Sequence, residues 1–187
     1  MNSRFDVRKT PLEGLRVIHR QPIGDHRGFI ERLFCAEDLK SLVGERHIQQ
    51  VNLTHTVRRG TARGMHFQRP PFAEMKFVSC VRGRIFDVAV DLRRNSPTFL
   101  RWYGEVLSSD SHTAFVIPEG FAHGFQTLTD DCELLYLHTT AYMAAAEGGV
   151  HPNDPRIAID WPERITELST RDAGHPMLRD DFEGLVP

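Results

Sequence analysis

Short runs rich in Val, Ile, Phe and Thr alternate with turn residues along most of this chain, and that alternation restricts its fold more than any other feature. A helix needs apolar residues every three or four positions over a dozen residues, whereas a strand needs only a period of two over four to eight. The stretch MKFVSCVRGRIFDVAVDLR reads as a hairpin of two strands around an Arg82-Gly83 turn, with Phe86, Val88 and Val90 on one face and Asp87, Ala89 and Asp91 on the other. Further strands are expected in LRVIHRQPI, HIQQVNLTHT, FLRWYGEVL, TAFVIP, HGFQTL and CELLYLHTTAY. Only two helices compete with this pattern. AEDLKSLVG has Leu39, Leu42 and Val43 at helical spacing and ends in Gly44, and a second helix is expected from about Ser169. Many short strands that close on one another remove exposed edges, so the expected fold is all-β, a double-sheet jelly roll whose interior can hold a ligand.

A chain of 187 residues with 40% hydrophobic and 26% charged content fits one domain, residues 1–187, with no internal repeat and no linker. Nothing approaches eighteen consecutive apolar residues, so no membrane span is expected. The first twenty residues carry charges throughout and lack the apolar core of a secretory signal, which makes a cytoplasmic protein the expectation. Cys35, Cys80 and Cys132 form no C-x-x-C pair and read as reduced thiols. A net charge of -2 argues against a nucleic-acid partner and leaves room for a local basic pocket that takes a small anion.

An H-x-H pair is the economical metal site on a strand, because residues two apart point the same way. The ten histidines stand at 19, 26, 47, 55, 66, 112, 123, 138, 151 and 175, and no two are two apart, so no metal is expected. His66 nevertheless lies in polar company, with Arg63, Gln68 and, on the preceding strand, Gln50 and Asn52. Such a strand lines a wet pocket, although a lone histidine there also reads as a hydrogen-bonded core residue. PEGFAHGF surrounds His123 with glycines that permit either a plain turn or close approach to a ligand. In LLYLHTTAY, Tyr136, His138, Thr140 and Tyr142 share one side, and a tyrosine can deliver a proton to a carbanion or simply sit as an amphipathic aromatic at a barrel mouth.

Taken in order from Gly24 to Pro176, GDHRGFIERLF, QVNLTHT, RGMHFQRPP, MKFVSCVRGRIFDVAVDLRRNSPTF, IPEGFAHGF, LLYLHTTAY, NDPRIAIDWP and LSTRDAGHP resemble the successive blocks of the dTDP-4-dehydrorhamnose 3,5-epimerase family. The resemblance implies a cupin-like jelly roll, a homodimer, and an isomerase that uses no metal or other cofactor. It implies a nucleoside-diphosphate 4-keto-6-deoxyhexose substrate, dTDP-linked, inverted at C3 and C5 on the way to dTDP-4-dehydro-L-rhamnose. Both carbons flank the C4 ketone, so removal of either proton yields an enolate with its charge on the C4 oxygen. Such chemistry needs a base, an acid on the opposite face of the sugar and a donor for the oxyanion. By resemblance these are His66 oriented by Asp172, then Tyr136, then Lys76. Arg27, Glu31, Gln50, Asn52, Arg63, His123 and Tyr142 match positions that hold the nucleotide, the diphosphate or the pocket wall.

Asp172 has a second reading, since Ser169-Thr170-Arg171-Asp172 also fits a capping box, and one carboxylate orientation cannot serve both roles. The chain departs from the family pattern at Glu74-Met75, where Gln-Gly is common, at Leu100 for a usual glycine, at Ser111 for an asparagine and at Pro152 for a tryptophan. These departures leave open a C3-only or C5-only epimerase, a non-catalytic sugar-nucleotide binding protein on the same scaffold, and a metal-dependent jelly roll.

Overall fold

The period-two pattern resolves into thirteen strands in a computed structural model that describes residues 4–186. They are β1 (Phe5–Lys9), β2 (Arg16–Arg20), β3 (Ile23–Asp25), β4 (Gly28–Ile30), β5 (Gln50–Thr56), β6 (Ala62–Gln68), β7 (Lys76–Arg82), β8 (Arg84–Asp91), β9 (Trp102–Ser108), β10 (Thr113–Ile117), β11 (Phe121–Thr127), β12 (Cys132–His138) and β13 (Glu147–Gly149). A six-stranded sheet runs β1-β2-β10-β7-β12-β5, a five-stranded sheet runs β13-β6-β11-β8-β9, and β3-β4 forms a separate hairpin. This is the expected all-β jelly roll. No helix among the described residues is long and apolar enough to cross a membrane.

Alternation along each strand separates three apolar layers. Val78, Phe115, Leu134 and Tyr136 of the larger sheet meet Ile85, Ala89, Leu107 and Phe125 of the smaller one. Their neighbours Phe77, Val116 and Leu137 face outward and are covered by Leu39 and Val43 around the short helix α1 (Lys40–Val43). On the other side Met65, Val88 and Val90 are covered by Val150 and Ile157, with Trp161, Phe182 and Leu185 of the C-terminal segment against them. The face assignment along β8 is therefore as the sequence predicts, with both faces buried.

The predicted hairpin is not there. β7 pairs with β10 and β12, β8 pairs with β11 and β9, and the two lie in different sheets. Gly83 explains the corner: its φ is +77°, and a Cβ would lie 2.7 Å from Thr129 Oγ1 and 2.8 Å from Cys132 Sγ. The chain switches sheets through one residue that only glycine accommodates. Leu100 also has a positive φ of 63°, which accounts for the glycine usual at that position. Its side chain packs on the outer apolar layer of the smaller sheet.

Both expected helices form. Gly44 ends α1 with φ of 61°. Helix α2 (Thr170–Ala173) starts at Ser169, whose Oγ accepts from the Asp172 N–H at 3.0 Å. Strand β12 stops at His138, so Thr140 and Tyr142 lie beyond it and not on its continuing face.

Phe115 is fully buried between the sheets. Phe115→Ala is expected to cost about 3–5 kcal/mol of unfolding free energy, measured by urea denaturation. A loss under ~1 kcal/mol would mean that the inter-sheet layer does not hold the fold.

Candidate active site

Where the apolar layer between the sheets gives way to polar residues, it opens into a cavity of about 460 Å³, within the range of small-molecule sites. The larger sheet supplies Gln50, Asn52 and Thr54 from alternate positions of β5, Lys76 from β7, and Tyr136 and His138 from β12. The smaller sheet supplies Arg63, His66 and Gln68 from β6, and His123 and Phe125 from β11. Arg63 and His66 are three apart, and both reach the cavity because β6 is irregular against β11: His66 pairs with His123 and Arg63 with Phe125. A bulge that inserts one residue turns two non-alternating side chains to the same face.

His66 Nε2 lies 2.7 Å from Asp172 Oδ1. The other carboxylate oxygen accepts from the Gly64 N–H at 3.1 Å, and Arg171 Nε donates to Oδ1 at 3.2 Å. Asp172 thus caps α2 only through its backbone, while its buried side chain turns inward to the imidazole. Of the capping box only the Ser169 half forms, and the carboxylate that would have reached back to the helix start bonds His66 and the Gly64 N–H instead. Burial alone would raise the Asp172 carboxyl, but the hydrogen bond and charge of His66, with the Gly64 N–H and Arg171, hold it well below the usual carboxylate range. Two groups compete for His66 Nε2: the ionised Asp172, which can only accept, at 2.7 Å, and Arg171 Nη2, which can only donate, at 3.1 Å. The shorter contact to a charged acceptor decides for a proton on Nε2, which leaves Nδ1 its lone pair.

Across the cavity, the Tyr136 ring stacks on His138 at 5.9 Å and 13° and meets the edge of His123. Burial pushes the Tyr136 phenol far above the ordinary tyrosine value, so it holds its proton at neutral pH. Lys76 Nζ is 3.2 Å from Glu74 Oε1, and Glu74 Oε2 is 3.1 Å from His138 Nδ1 and 3.2 Å from Gln68 Nε2. Burial works to raise Glu74, but His138 and Lys76 outweigh it and hold the carboxyl below its ordinary value. His123 Nε2 bonds Asp87 Oδ1 at 2.7 Å, and burial favours the neutral form of both. At the rim, Glu147 joins the Tyr142 hydroxyl and Arg171 Nη1, each at 3.0 Å.

Nine of the eleven predicted site residues line this cavity: His66, Asp172, Tyr136, Lys76, Gln50, Asn52, Arg63, His123 and Tyr142. Arg27 and Glu31 do not. Arg27 sits exposed at the β3-β4 turn, bonded to Asp25, and Glu31 bonds Arg20 and His112. The hairpin forms its own sheet with every residue exposed, so it carries Arg27 away from the barrel interior. Glu74, Asp87 and Arg171 are not among the predicted site residues, and His138 is expected there only as a residue sharing the face of Tyr136. The spacing of Glu74 to Lys76 and an aspartate between Phe86 and Val88 were the available signals.

A family model described as dTDP-4-dehydrorhamnose 3,5-epimerase matches residues 9–180. The dTDP-4-dehydrorhamnose 3,5-epimerase of Salmonella typhimurium is 40% identical over 174 residues, 92% of this chain and 94% of that protein. The dTDP-4-dehydrorhamnose 3-epimerase of Streptomyces niveus is 39% identical over 183 residues, 97% of this chain and 88% of that one. Among solved structures, the dTDP-6-deoxy-D-glucose-3,5-epimerase of Legionella pneumophila Philadelphia 1 in complex with dTDP-4-keto-L-rhamnose matches with a TM-score of 0.87 at 37% identity, over 92% of each chain.

Because the Asp172 carboxyl is depressed in the folded protein, its stabilising contribution is complete above the unfolded value near ~4 and fades as pH falls below it. Asp172→Asn is expected to melt below wild type at neutral pH, with the gap narrowing in acid. Thermal melts across that range check this, and a gap independent of pH would contradict it.

Proposed function

This chain belongs to the dTDP-4-dehydrorhamnose 3,5-epimerase family, and we propose that it inverts C3 and C5 of dTDP-4-dehydro-6-deoxy-D-glucose to give dTDP-4-dehydro-L-rhamnose, with His66 as base and Tyr136 as acid. One observation carries the residue roles. His66 stands on the five-stranded sheet and Tyr136 on the six-stranded sheet, so a sugar between them meets a proton acceptor on one face and a donor on the other. Inversion requires that opposition.

In this reading, Nδ1 of His66 removes the proton beside the C4 ketone, and Asp172 stabilises the imidazolium that forms. The C4 oxygen gains charge, and Lys76, held by Glu74, supplies the positive donor that stabilises it. Tyr136 then protonates the carbon from the far side. The same three groups serve C5 and C3 in turn because both carbons are acidified by one ketone. Arg63 and the rim arginine Arg171 supply positive charge suited to a diphosphate, and Gln50, Asn52 and Tyr142 offer polar contacts to the rest of the nucleotide. The chain acts as a single cytoplasmic domain, without a metal or other cofactor.

A second reading, inversion at C3 alone, is favoured by the Streptomyces niveus 3-epimerase, whose similarity nearly equals that of the Salmonella enzyme. Proton NMR in D2O with dTDP-4-keto-6-deoxy-D-glucose separates the readings by following each carbon. His66→Ala is expected to slow exchange at both carbons by about 10²–10⁴-fold. Tyr136→Phe is expected to wash solvent deuterium in while completing little inversion. Full inversion by either variant would overturn its assigned role.

The working unit in this reading is a homodimer. Phe29 and Ile30 of the β3-β4 hairpin and Val51 and Leu53 on the outer face of β5 are all more than half exposed, apolar surface that a second copy would cover. Arg27 and Glu31 would then reach substrate in the partner's cavity. Mixing Arg27→Ala with His66→Ala subunits is expected to restore activity, because one site in each mixed dimer is then intact. Absence of rescue by subunits shown to exchange would mean that Arg27 does not serve the partner's site.

A further inference from the structure

His175 is the feature beside the dyad that the epimerisation chemistry does not use. Its Nε2 lies 3.8 Å from Asp172 Oδ1, beyond hydrogen-bond reach, and is buried with no hydrogen-bond partner. The ring stands edge-on to His66 with centroids 5.4 Å apart. It fits only because residue 149 is a glycine: a Cβ there would lie 2.2 Å from His175 Cε1. Ligand-type atoms of His66, Asp172 and His175 all lie within 4.8 Å of one another. A buried nitrogen without a partner is costly, and a cation that takes its lone pair removes that cost.

We propose that His66, Asp172 and His175 form a binding site for a zinc-type divalent cation and that filling it switches the enzyme off. Two imidazoles and one carboxylate are a donor set that zinc binds with a fourth position left to water. Zinc ligands at about 2.0–2.1 Å from the ion stand roughly 3.3 Å apart. The His66–Asp172 contact of 2.7 Å must therefore open by about as much as the His175–Asp172 contact of 3.8 Å must close. The ion replaces the proton on His66 Nε2, and that proton moves to Nδ1, so the ring stays neutral and no proton is lost. With Nδ1 protonated, the lone pair that would attack the sugar is gone. This consequence rests on the reading of His66 as base, whereas the binding itself does not.

Arg171 is the built-in competitor. Its Nε lies 3.2 Å from Asp172 Oδ1 and its Nη2 lies 3.1 Å from His66 Nε2, so one cation already occupies the approach. Its side chain is 55% exposed, so it can swing outward, and its ion pair with Glu147 at the rim keeps a partner for it when it leaves Asp172. The two neighbours should thus act in opposite directions.

Calorimetric titration of the chelator-treated protein with zinc chloride tests the site. Wild type is expected to bind one ion per chain, His175→Ala to bind about tenfold or more weakly, and Arg171→Gln to bind more tightly. The exposed Arg171 variant keeps the test informative if His175→Ala does not fold. In parallel, deuterium exchange by wild type is expected to fall as the site fills. Equal affinity across the proteins, or full exchange at saturating zinc, would overturn the proposal. Absence of exchange in zinc-free wild type would instead overturn the functional reading and leave the binding result standing.

Discussion

The 2.7 Å contact between His66 and Asp172 joins residues 106 positions apart, and the chemistry of the cavity depends on it. His66 rides on β6 beside the irregularity at Gly64, and Asp172 rides on a four-residue helix near the end of the chain. Neither element is stable alone. The C-terminal segment is held in place by Ile157, Trp161 and Phe182 against the outer face of the smaller sheet, and that packing delivers the carboxylate to the imidazole. A base is thereby assembled from a strand of the smaller sheet and a helix near the C-terminus, with its proton fixed on the nitrogen that faces the protein.

Two opposed sheets then do what a single loop site does not. They hold a proton acceptor and a proton donor on separate rigid walls, and an inverting reaction needs both faces of one carbon addressed without the substrate turning over. Burial keeps Tyr136 protonated opposite a basic Nδ1, so the acid and the base do not neutralise each other. Glu74 completes the arrangement by fixing the ammonium of Lys76 and the ring of His138 together.

Much of this was legible because strands write their faces into the sequence at a period of two. Gln50 and Asn52 could be assigned to a pocket-facing side, and Asp87 and Ala89 to one shared face, without knowing their partners. The pairing of strands was less legible: Arg82-Gly83 looks like a hairpin turn, and only the contacts of Gly83 with Thr129 and Cys132 make it a corner between sheets. Asp172 was ambiguous for a related reason, since a capping box is a local pattern and the bond to His66 is a distant one. The roles of Glu74 and Asp87 depend on which strands lie beside them, which no local spacing encodes. Arg27 and Glu31 lie outside the cavity of their own chain, and a single-chain reading of the sequence carries no signal of that.

Asp172 fixes the proton of His66 on Nε2 and leaves Nδ1 free. Long-range ¹H–¹⁵N correlation of the histidine rings in the substrate-free enzyme near neutral pH, with His66→Gln used for assignment, reads this tautomer directly. The expected spectrum shows His66 with a protonated Nε2 and a bare Nδ1, lost in Asp172→Asn. A His66 ring with its proton on Nδ1, or one unchanged by Asp172→Asn, would contradict the assembled base.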